Sequence, residues 1–188
     1  MIARFGPSLA SFQGEWIFAI GGWQLIWTDV YNIQADRWYK SPDLNTERVD
    51  ASSCELGAYI YTFGGLKSQA GYLLKTFERL NADRLTRGEE GVVWELFEVK
   101  QSLDGVSLSA RERALMVAVS DREILIMGGE GNSGHESDCF LLDTETSTLS
   151  KQSILSTGLD CLQFSSWSNQ CYRTDGPASG TTEITALV

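Results

Sequence analysis

A strand, turn and strand pattern that ends in a glycine pair occurs three times in this chain of 188 residues. The three segments span residues 8–22, 51–65 and 115–129. In each of them a short apolar run and a polar turn precede a second run that is rich in aromatic or β-branched residues. This order is typical of a β-hairpin. Its repetition predicts an all-β array of similar units.

The similarity continues on both sides of the glycine pairs. An arginine precedes the pair by 17, 16 and 17 positions, as Arg4, Arg48 and Arg111. After each pair come two large apolar residues, which are Tyr31 and Trp38, Leu80 and Trp94, and Leu142 and Leu149. A polar insertion at about residues 83–91 separates the middle two. Units of about 45 to 50 residues with two hairpins have the size of a propeller blade.

With these residues the chain resembles the kelch family of β-propellers. The first unit carries the family spacing most fully, with Gly21-Gly22, eight residues, Tyr31, six residues and Trp38. Arg48 and Arg111 stand where kelch units often carry Pro-Arg. The resemblance covers about residues 3–150 and implies an all-β, kelch-type β-propeller that is incomplete, with three to four four-stranded blades.

The resemblance implies a single kelch-repeat region over residues 1–188. Its blade units are expected at about 3–42, 47–99 and 109–151, with a degenerate partial unit at 160–188. The family usually closes its ring with five to seven blades. We therefore expect ring completion with further blades or with another chain.

The glycines at 129, 131 and 134 also match the G-x-G-x-x-G spacing of dinucleotide-binding loops. That fingerprint needs a helix directly after the loop, aimed at the phosphates. Here a short polar loop and a strand-like apolar run follow Gly134. We therefore expect punctuation of a β repeat and no bound nucleotide.

The formal net charge of −10 argues against nucleic acid or an anionic membrane as a partner, since clustered Lys and Arg bind both. No run of about 18 apolar residues occurs. The four cysteines show no C-x-x-C pairing, which favours reduced thiols and a cytoplasmic location.

Catalytic and metal-binding motifs are scarce. His135 is the one histidine, so every Ser-His-Asp or Cys-His site would have to use it. A structural zinc site needs four ligands, and nothing complements His135 and Cys139 at close spacing. We expect no cofactor, no metal and no enzymatic activity. The alternative is a propeller hydrolase or lyase with carboxylates at the central mouth.

Four arginines are candidate binding residues, namely Arg4, Arg48, Arg111 and Arg113. On one rim of a propeller their guanidinium groups would converge, and arginine suits bidentate binding of carboxylates. The resemblance to kelch adaptors implies an acidic peptide segment as the partner. The equally weighted alternative is that each arginine ties its own loop to the neighbouring blade.

Aromatic residues follow two of the glycine pairs, as Trp23, Trp27 and Tyr72. We expect them in loops at another edge than the arginines, where they form a contact patch or pack against the next blade. Together these features predict a non-enzymatic module that presents blade loops to a protein partner, as a substrate-recognition or scaffold part of a larger assembly.

Overall fold

The computed structural model describes residues 3–100, 105 and 107–152, and the backbone of residues 172–173 and 182–183. The fold is all-β, with three four-stranded antiparallel sheets in chain order. The degenerate unit predicted at 160–188 lies outside the described residues, apart from two short backbone segments.

The first sheet has the strand order β1-β2-β3-β4. Its strands are β1 (Ser8–Phe12), β2 (Trp16–Ile20), β3 (Thr28–Asn32) and β4 (Arg37–Lys40). Burial alternates along β1, where Ser8, Ala10 and Phe12 are buried and the residues between them are exposed. This is the period of two that a strand requires.

The second unit contains β5 (Ser52–Leu56), β6 (Tyr59–Phe63), β7 (Leu66–Lys67), β8 (Tyr72–Leu73), β9 (Phe77–Asn81), α1 (Ala82–Thr86) and β10 (Trp94–Phe97). The second sheet has the order β5-β6-β9-β10, while β7 and β8 pair as a small hairpin. The one-turn helix α1 lies in the polar insertion and was not predicted. The Asn81 side chain accepts a hydrogen bond from the Arg84 amide and so caps its N-terminus.

The third unit contains β11 (Arg111–Glu112), β12 (Leu115–Ala118), β13 (Glu123–Met127), β14 (Glu130–Gly131), β15 (Gly134–His135), β16 (Cys139–Asp143) and β17 (Thr148–Gln152). The third sheet has the order β12-β13-β16-β17, and β11, β14 and β15 form a small three-stranded sheet. Farther along the chain, the backbone segments β18 (Tyr172–Arg173) and β19 (Thr182–Glu183) pair antiparallel.

Strand register supports the alignment of the three units. The aligned apolar residues lie directly opposite each other across the last two strands of each sheet, as Tyr31 and Trp38, Leu80 and Trp94, and Leu142 and Leu149. The pair of Leu80 and Trp94 is the strongest support for the alignment, because the insertion places these two residues farther apart in the sequence than the pairs of the other units. Equivalent residues therefore occupy equivalent places in all three sheets.

Two apolar clusters join the sheets face to face. The cluster between the first and second sheets includes Phe12, Phe18, Ile60, Leu80 and Trp94. The cluster between the second and third sheets includes Tyr61, Phe63, Ile124, Ile126 and Leu142. Each large apolar side chain that is buried contributes about 1.5 to 3 kcal/mol. The first strands β1 and β12 both lie against β5.

Among the described residues, no helix has the length and apolar character that crossing a membrane requires.

Candidate functional site

The arginines that precede the three glycine pairs make the same contact in each unit. Each guanidinium group donates to the main-chain carbonyl of the first glycine of its pair. The donor and acceptor atoms are 3.1 Å apart for Arg4 and Gly21, 2.8 Å for Arg48 and Gly64, and 2.9 Å for Arg111 and Gly128. The repeated spacing in the sequence thus corresponds to a repeated hydrogen bond.

Each of these arginines is also paired with an acidic residue of its own unit. Arg4 pairs with Asp29, Arg48 with Glu78 at 3.1 Å, and Arg111 with Asp138 at 2.5 Å. None of these three acids was predicted from the sequence as a partner of an arginine. An acidic residue near the start of the third strand of every unit was the available signal, but its distance from the glycine pair varies.

The acid of the third unit comes from a shifted position. The amide of the first glycine in each pair donates to the carbonyl of Trp27, Thr76 or Asp138, so these three residues are structurally equivalent. Phe140 therefore stands where the other two units carry their acid, and its ring centre lies 5.7 Å from the Arg111 guanidinium carbon. The carboxylate thus comes from within the third strand of the sheet in the first two units and from the residue just before that strand in the third unit.

These three arginines are buried. Arg48 and Arg111 are 0% exposed, and the side chain of Arg4 is 3% exposed. Burial lowers the pKa of Arg48, and the nearby Glu78 carboxylate opposes this shift. A carboxylate of a partner protein does not reach these guanidinium groups in this arrangement. The guanidinium groups instead bind the glycine pair and an acidic residue of their own unit.

The main-chain carbonyls of Arg48 and Arg111 contact the preceding unit. The amide of Gly22 donates to the carbonyl of Arg48 at 2.8 Å, and the amide of Gly65 donates to the carbonyl of Arg111 at 2.9 Å. One arginine therefore binds the glycine pair of its own unit with its side chain and the preceding pair with its backbone. We call this arrangement the arginine–glycine junction.

Glycine is required at the first position of the pair by the close approach of the junction. A Cβ atom on Gly64 would lie 2.3 Å from the carbonyl oxygen of Arg111, and one on Gly21 would lie 2.6 Å from that of Arg48. Both distances are far below van der Waals contact. The glycine pair thus marks the place where the next unit packs.

Arg113 occupies a different place from the other three arginines. It lies two residues after Arg111, and the equivalent positions in the other units are Asp50 and Gly6. The same hydrogen bond links successive units at this position. The Asp50 amide donates to the Gly6 carbonyl at 2.9 Å, and the Arg113 amide donates to the Asp50 carbonyl at 2.8 Å. All three residues have a positive φ, of 60°, 53° and 56° in chain order. The backbone at this position is therefore part of the joint between units.

The Arg113 side chain is 59% exposed and is surrounded by three acids. Its nitrogen atoms lie 3.0 Å from Asp50, 3.2 Å from Glu130 and 3.8 Å from Glu112. Burial and the neighbouring Asp50 and Glu130 raise the pKa of Glu112, while Arg113 opposes this shift. One cation among three carboxyl groups gives this part of the surface a negative balance.

Trp23, Trp27 and Tyr72 differ in exposure. Trp23 is 47% exposed and Tyr72 is 51% exposed, whereas Trp27 is half-buried with the Lys40 ammonium 4.8 Å from its ring centre. Trp23 packs edge to face against Phe5, with ring centres 6.4 Å apart. Phe5 is 69% exposed and was not among the contact residues predicted from the sequence.

The loops and the arginines share one edge of the sheets, so the prediction of separate edges was wrong. The Trp23 amide donates to the carbonyl of Phe5, the residue after Arg4, at 2.9 Å. Arginines and loops lie together because each arginine side chain binds the carbonyl of its glycine pair, and the loop begins directly after that pair. The Gln24 amide also donates to Ser68 Oγ at 3.1 Å, which connects the first loop with the β7–β8 hairpin.

A cleft of about 530 Å³ lies between turns of the second and third sheets and is lined in part by Tyr59, Tyr61, Arg79 and Arg122. Arg79 pairs with Glu95 at 3.2 Å, and Arg122 lies 3.5 Å from Asp143. Burial raises the pKa of Tyr61. The cationic groups of the cleft are therefore already matched by carboxylates of the same chain.

The two cysteine thiols among the described residues, Cys54 and Cys139, are not activated as nucleophiles. Burial raises the pKa of Cys54 to about 12 and that of Cys139 to about 11, so both thiols stay protonated at neutral pH. His135 lies on the exposed strand β15. Within residues 3–100 and 107–152, no group of three His, Cys, Asp or Glu side chains is placed to hold a metal ion.

A comparison with models of known protein families and a search of curated proteins both find no match for this chain.

Proposed function

We propose that this chain is an incomplete kelch-type propeller that acts as a protein-interaction module through the edge where its glycine pairs end. The observation that carries the proposal is a group of exposed aromatic residues on loops of that edge. This aromatic edge consists of Phe5, Trp23 and Tyr72. Exposed aromatic side chains on an ordered surface are the residues that most often dominate a protein interface.

The members of the aromatic edge are connected. Phe5 contacts Trp23 directly, and the hydrogen bond from Gln24 to Ser68 brings the first loop to the β7–β8 hairpin, which carries Tyr72. The Lys67 ammonium lies 5.8 Å from the Tyr72 ring centre. The arginine–glycine junctions fix the start of each loop. A surface ordered in this way loses little conformational entropy when it binds a partner.

The charges near the aromatic edge support a partner that is not acidic. Arg113 is the exposed arginine of the four candidates, but Asp50, Glu112 and Glu130 surround it. The chain as a whole carries a net charge of −10. An acidic peptide, which the family resemblance implies, would be repelled here, whereas a segment with apolar side chains and a Lys or Arg would be attracted.

The alternative, a hydrolase or lyase, needs a carboxyl group that can take part in proton transfer. The three acids at the aligned positions are instead held by buried arginines, as Asp29, Glu78 and Asp138. Among the described carboxyl groups, Glu112 has a raised pKa because of its burial, and this is the observation on the side of the alternative. Turnover that disappears on replacement of a single Asp or Glu would establish it in place of a binding module.

The test is capture of a partner by the full chain, followed by calorimetry with the identified partner. We expect Trp23→Ala to lower the affinity about thirty-fold, which corresponds to about 2 kcal/mol for an aromatic hot spot. The matched control is Val93→Ala, which changes an exposed apolar residue next to β10, at the end of the strands away from the glycine pair. This variant should bind as wild type does.

Two charge variants test the chemistry of the partner. For a basic and apolar segment, Glu130→Lys should weaken binding and Arg113→Glu should not. The reverse pattern would show that the partner is acidic. If Trp23→Ala and Tyr72→Ala both bind as tightly as wild type, the aromatic edge is not the binding surface.

A further inference from the structure

One apolar face of the first sheet is open, whereas the equivalent faces of the second and third sheets are covered. Ile17 lies opposite Tyr31, which lies opposite Trp38. The equivalent triplets in the second and third sheets are buried against the preceding sheet, and they consist of Ile60, Leu80 and Trp94, and of Ile124, Leu142 and Leu149. In the first sheet all three side chains are half-buried. The first sheet therefore presents the face that receives a preceding unit.

The third sheet presents the complementary face. Leu125 and Met127 on β13 are half-buried. The equivalent side chains in the other sheets are at most 3% exposed, and they are Phe18 and Ile20 in the first sheet and Tyr61 and Phe63 in the second. Those residues pack against the following sheet. The third sheet thus has an apolar face of the kind that packs against a following unit.

Backbone groups at the two ends are complementary as well. Two backbone hydrogen bonds join each described unit to the next one. The amide of the second glycine of a pair donates to the carbonyl of the next arginine. The amide two residues after that arginine donates to the carbonyl of the equivalent residue in the preceding unit. At the third unit the corresponding groups are the Gly129 amide and the Arg113 carbonyl. At the first unit they are the Arg4 carbonyl and the Gly6 amide. None of these four has a backbone partner within residues 3–100 and 107–152.

We propose that two copies of this chain associate head to tail, with the third sheet of each copy packed against the first sheet of the other. Gly129 of one copy then donates to the carbonyl of Arg4 of the second copy, and Gly6 of the second copy donates to the carbonyl of Arg113. Because residues 3–152 carry one open face of each kind, a pair of copies that is joined at both faces is closed. This inference does not depend on the aromatic edge.

The second copy is the occupant that the sequence supports. A complete junction needs an arginine and, 16 or 17 residues later, a glycine pair. Residues 153–188 contain one arginine, Arg173, and no glycine pair. Residues 3–22 of a second copy contain both, as Arg4 and Gly21-Gly22.

A substitution at Gly128 tests the contact between two copies with little effect on the described part of a single chain. A Cβ atom on Gly21 or Gly64 would collide with the carbonyl of the next arginine. Among the described residues, the nearest atom to a Cβ on Gly128 is the Glu136 carbonyl oxygen at 3.5 Å. Gly128→Ala therefore leaves room within the described part of one chain, but it places a methyl group where the carbonyl of Arg4 of the second copy packs. The matched control is Gly57→Ala, because Gly57 has a φ of 59° against 60° for Gly128, with no atom within 4 Å of its Cβ.

The experiment is light scattering after size exclusion on the full chain, with circular dichroism as a check of folding. Wild type and Gly57→Ala should have the mass of two chains, and Gly128→Ala should have the mass of one with an unchanged spectrum. A wild-type protein that stays a single chain at tens of micromolar overturns the proposal. So does a Gly128→Ala variant that remains folded and paired.

A mixing experiment with two further variants is independent of the glycine. Leu9→Lys changes an exposed residue on the open face of the first sheet, and Leu125→Lys changes the open face of the third. Each variant alone should lose most pairing. An equimolar mixture should regain it in part, because one of its two joints is then unaltered. Contact between two first sheets would instead be sensitive to Leu9→Lys alone and would show no recovery.

Discussion

The amide nitrogen of Gly65 lies 2.9 Å from the main-chain carbonyl oxygen of Arg111, which follows it by 46 residues. The Arg111 side chain extends the other way and donates to the carbonyl of Gly128 at 2.9 Å. A single residue therefore contacts the glycine pairs of two successive units. The same arrangement at Arg48 indicates that the junction is a repeated structural element.

The first prediction concerns the space at the junction. Gly64→Ala should lower the free energy of unfolding by about 2 to 4 kcal/mol, because it combines left-handed strain of about 1 kcal/mol with a collision against the Arg111 carbonyl. Gly57→Ala carries the strain alone, since its Cβ meets no atom within 4 Å, and should cost about 1 kcal/mol. Urea unfolding measures both. Equal losses would mean that the glycine is present for its φ and not for the packing.

The second prediction concerns the thiols. Because burial raises the pKa of Cys54 to about 12 and of Cys139 to about 11, few of these thiols are ionised at about pH 8. We expect iodoacetamide to modify both at least about a hundred-fold more slowly in the native protein than in urea, since the thiolate is the nucleophile. Peptide mass spectrometry resolves each site. Rapid labelling of the native protein would contradict the burial of Cys139 and the partial burial of Cys54.

The third prediction concerns acid stability. Hydrogen bonds from the Thr146 amide, with help from Arg122, lower the pKa of Asp143 below its ordinary value of 3.8. The ionised carboxylate therefore stabilises the fold above that value, and the contribution is lost as the pH falls through the lower folded-state pKa. Asp143→Asn should melt at a lower temperature than wild type at about pH 6, with a gap that narrows toward about pH 3.

Asp121→Asn is the control for the acid prediction, because Asp121 is an exposed residue of the turn between β12 and β13. Its melting temperature should follow that of wild type at both pH values. A gap for Asp143→Asn that is the same at about pH 6 and about pH 3 would show that the carboxylate charge has no part in the turn.

The repeat could be read from the sequence because each of its marks has a strong local cause. The glycine pairs are required by the approach of the next backbone, and the paired apolar residues on the last two strands fill the space between sheets. Leu80 and Trp94 lie opposite each other despite the insertion between them, because burial on one sheet face fixes the strand register. The helix α1 inside that insertion depends on a local cap, which the repeat does not predict.

The role of the arginines could not be read from the sequence. A pattern of Arg4, Arg48 and Arg111 is compatible with an exposed rim and with a buried joint, and only the position of the acidic partners distinguishes the two. The partner of Arg111 is shifted by two residues relative to the other units, so no fixed spacing reveals it. Arg113 resembles the others in type, but its backbone is equivalent to that of Gly6 and Asp50.

The most direct test of the account is the free energy of unfolding of Arg48→Met compared with Arg113→Met, both measured by urea denaturation. Arg48 is 0% exposed, and its removal leaves the Glu78 carboxylate buried without a counter-charge, so we expect a loss of about 3 to 5 kcal/mol. Arg113 is 59% exposed, and we expect a loss below about 1 kcal/mol. Similar small losses for both variants would contradict the claim that the buried arginine side chains stabilise the units in which they lie.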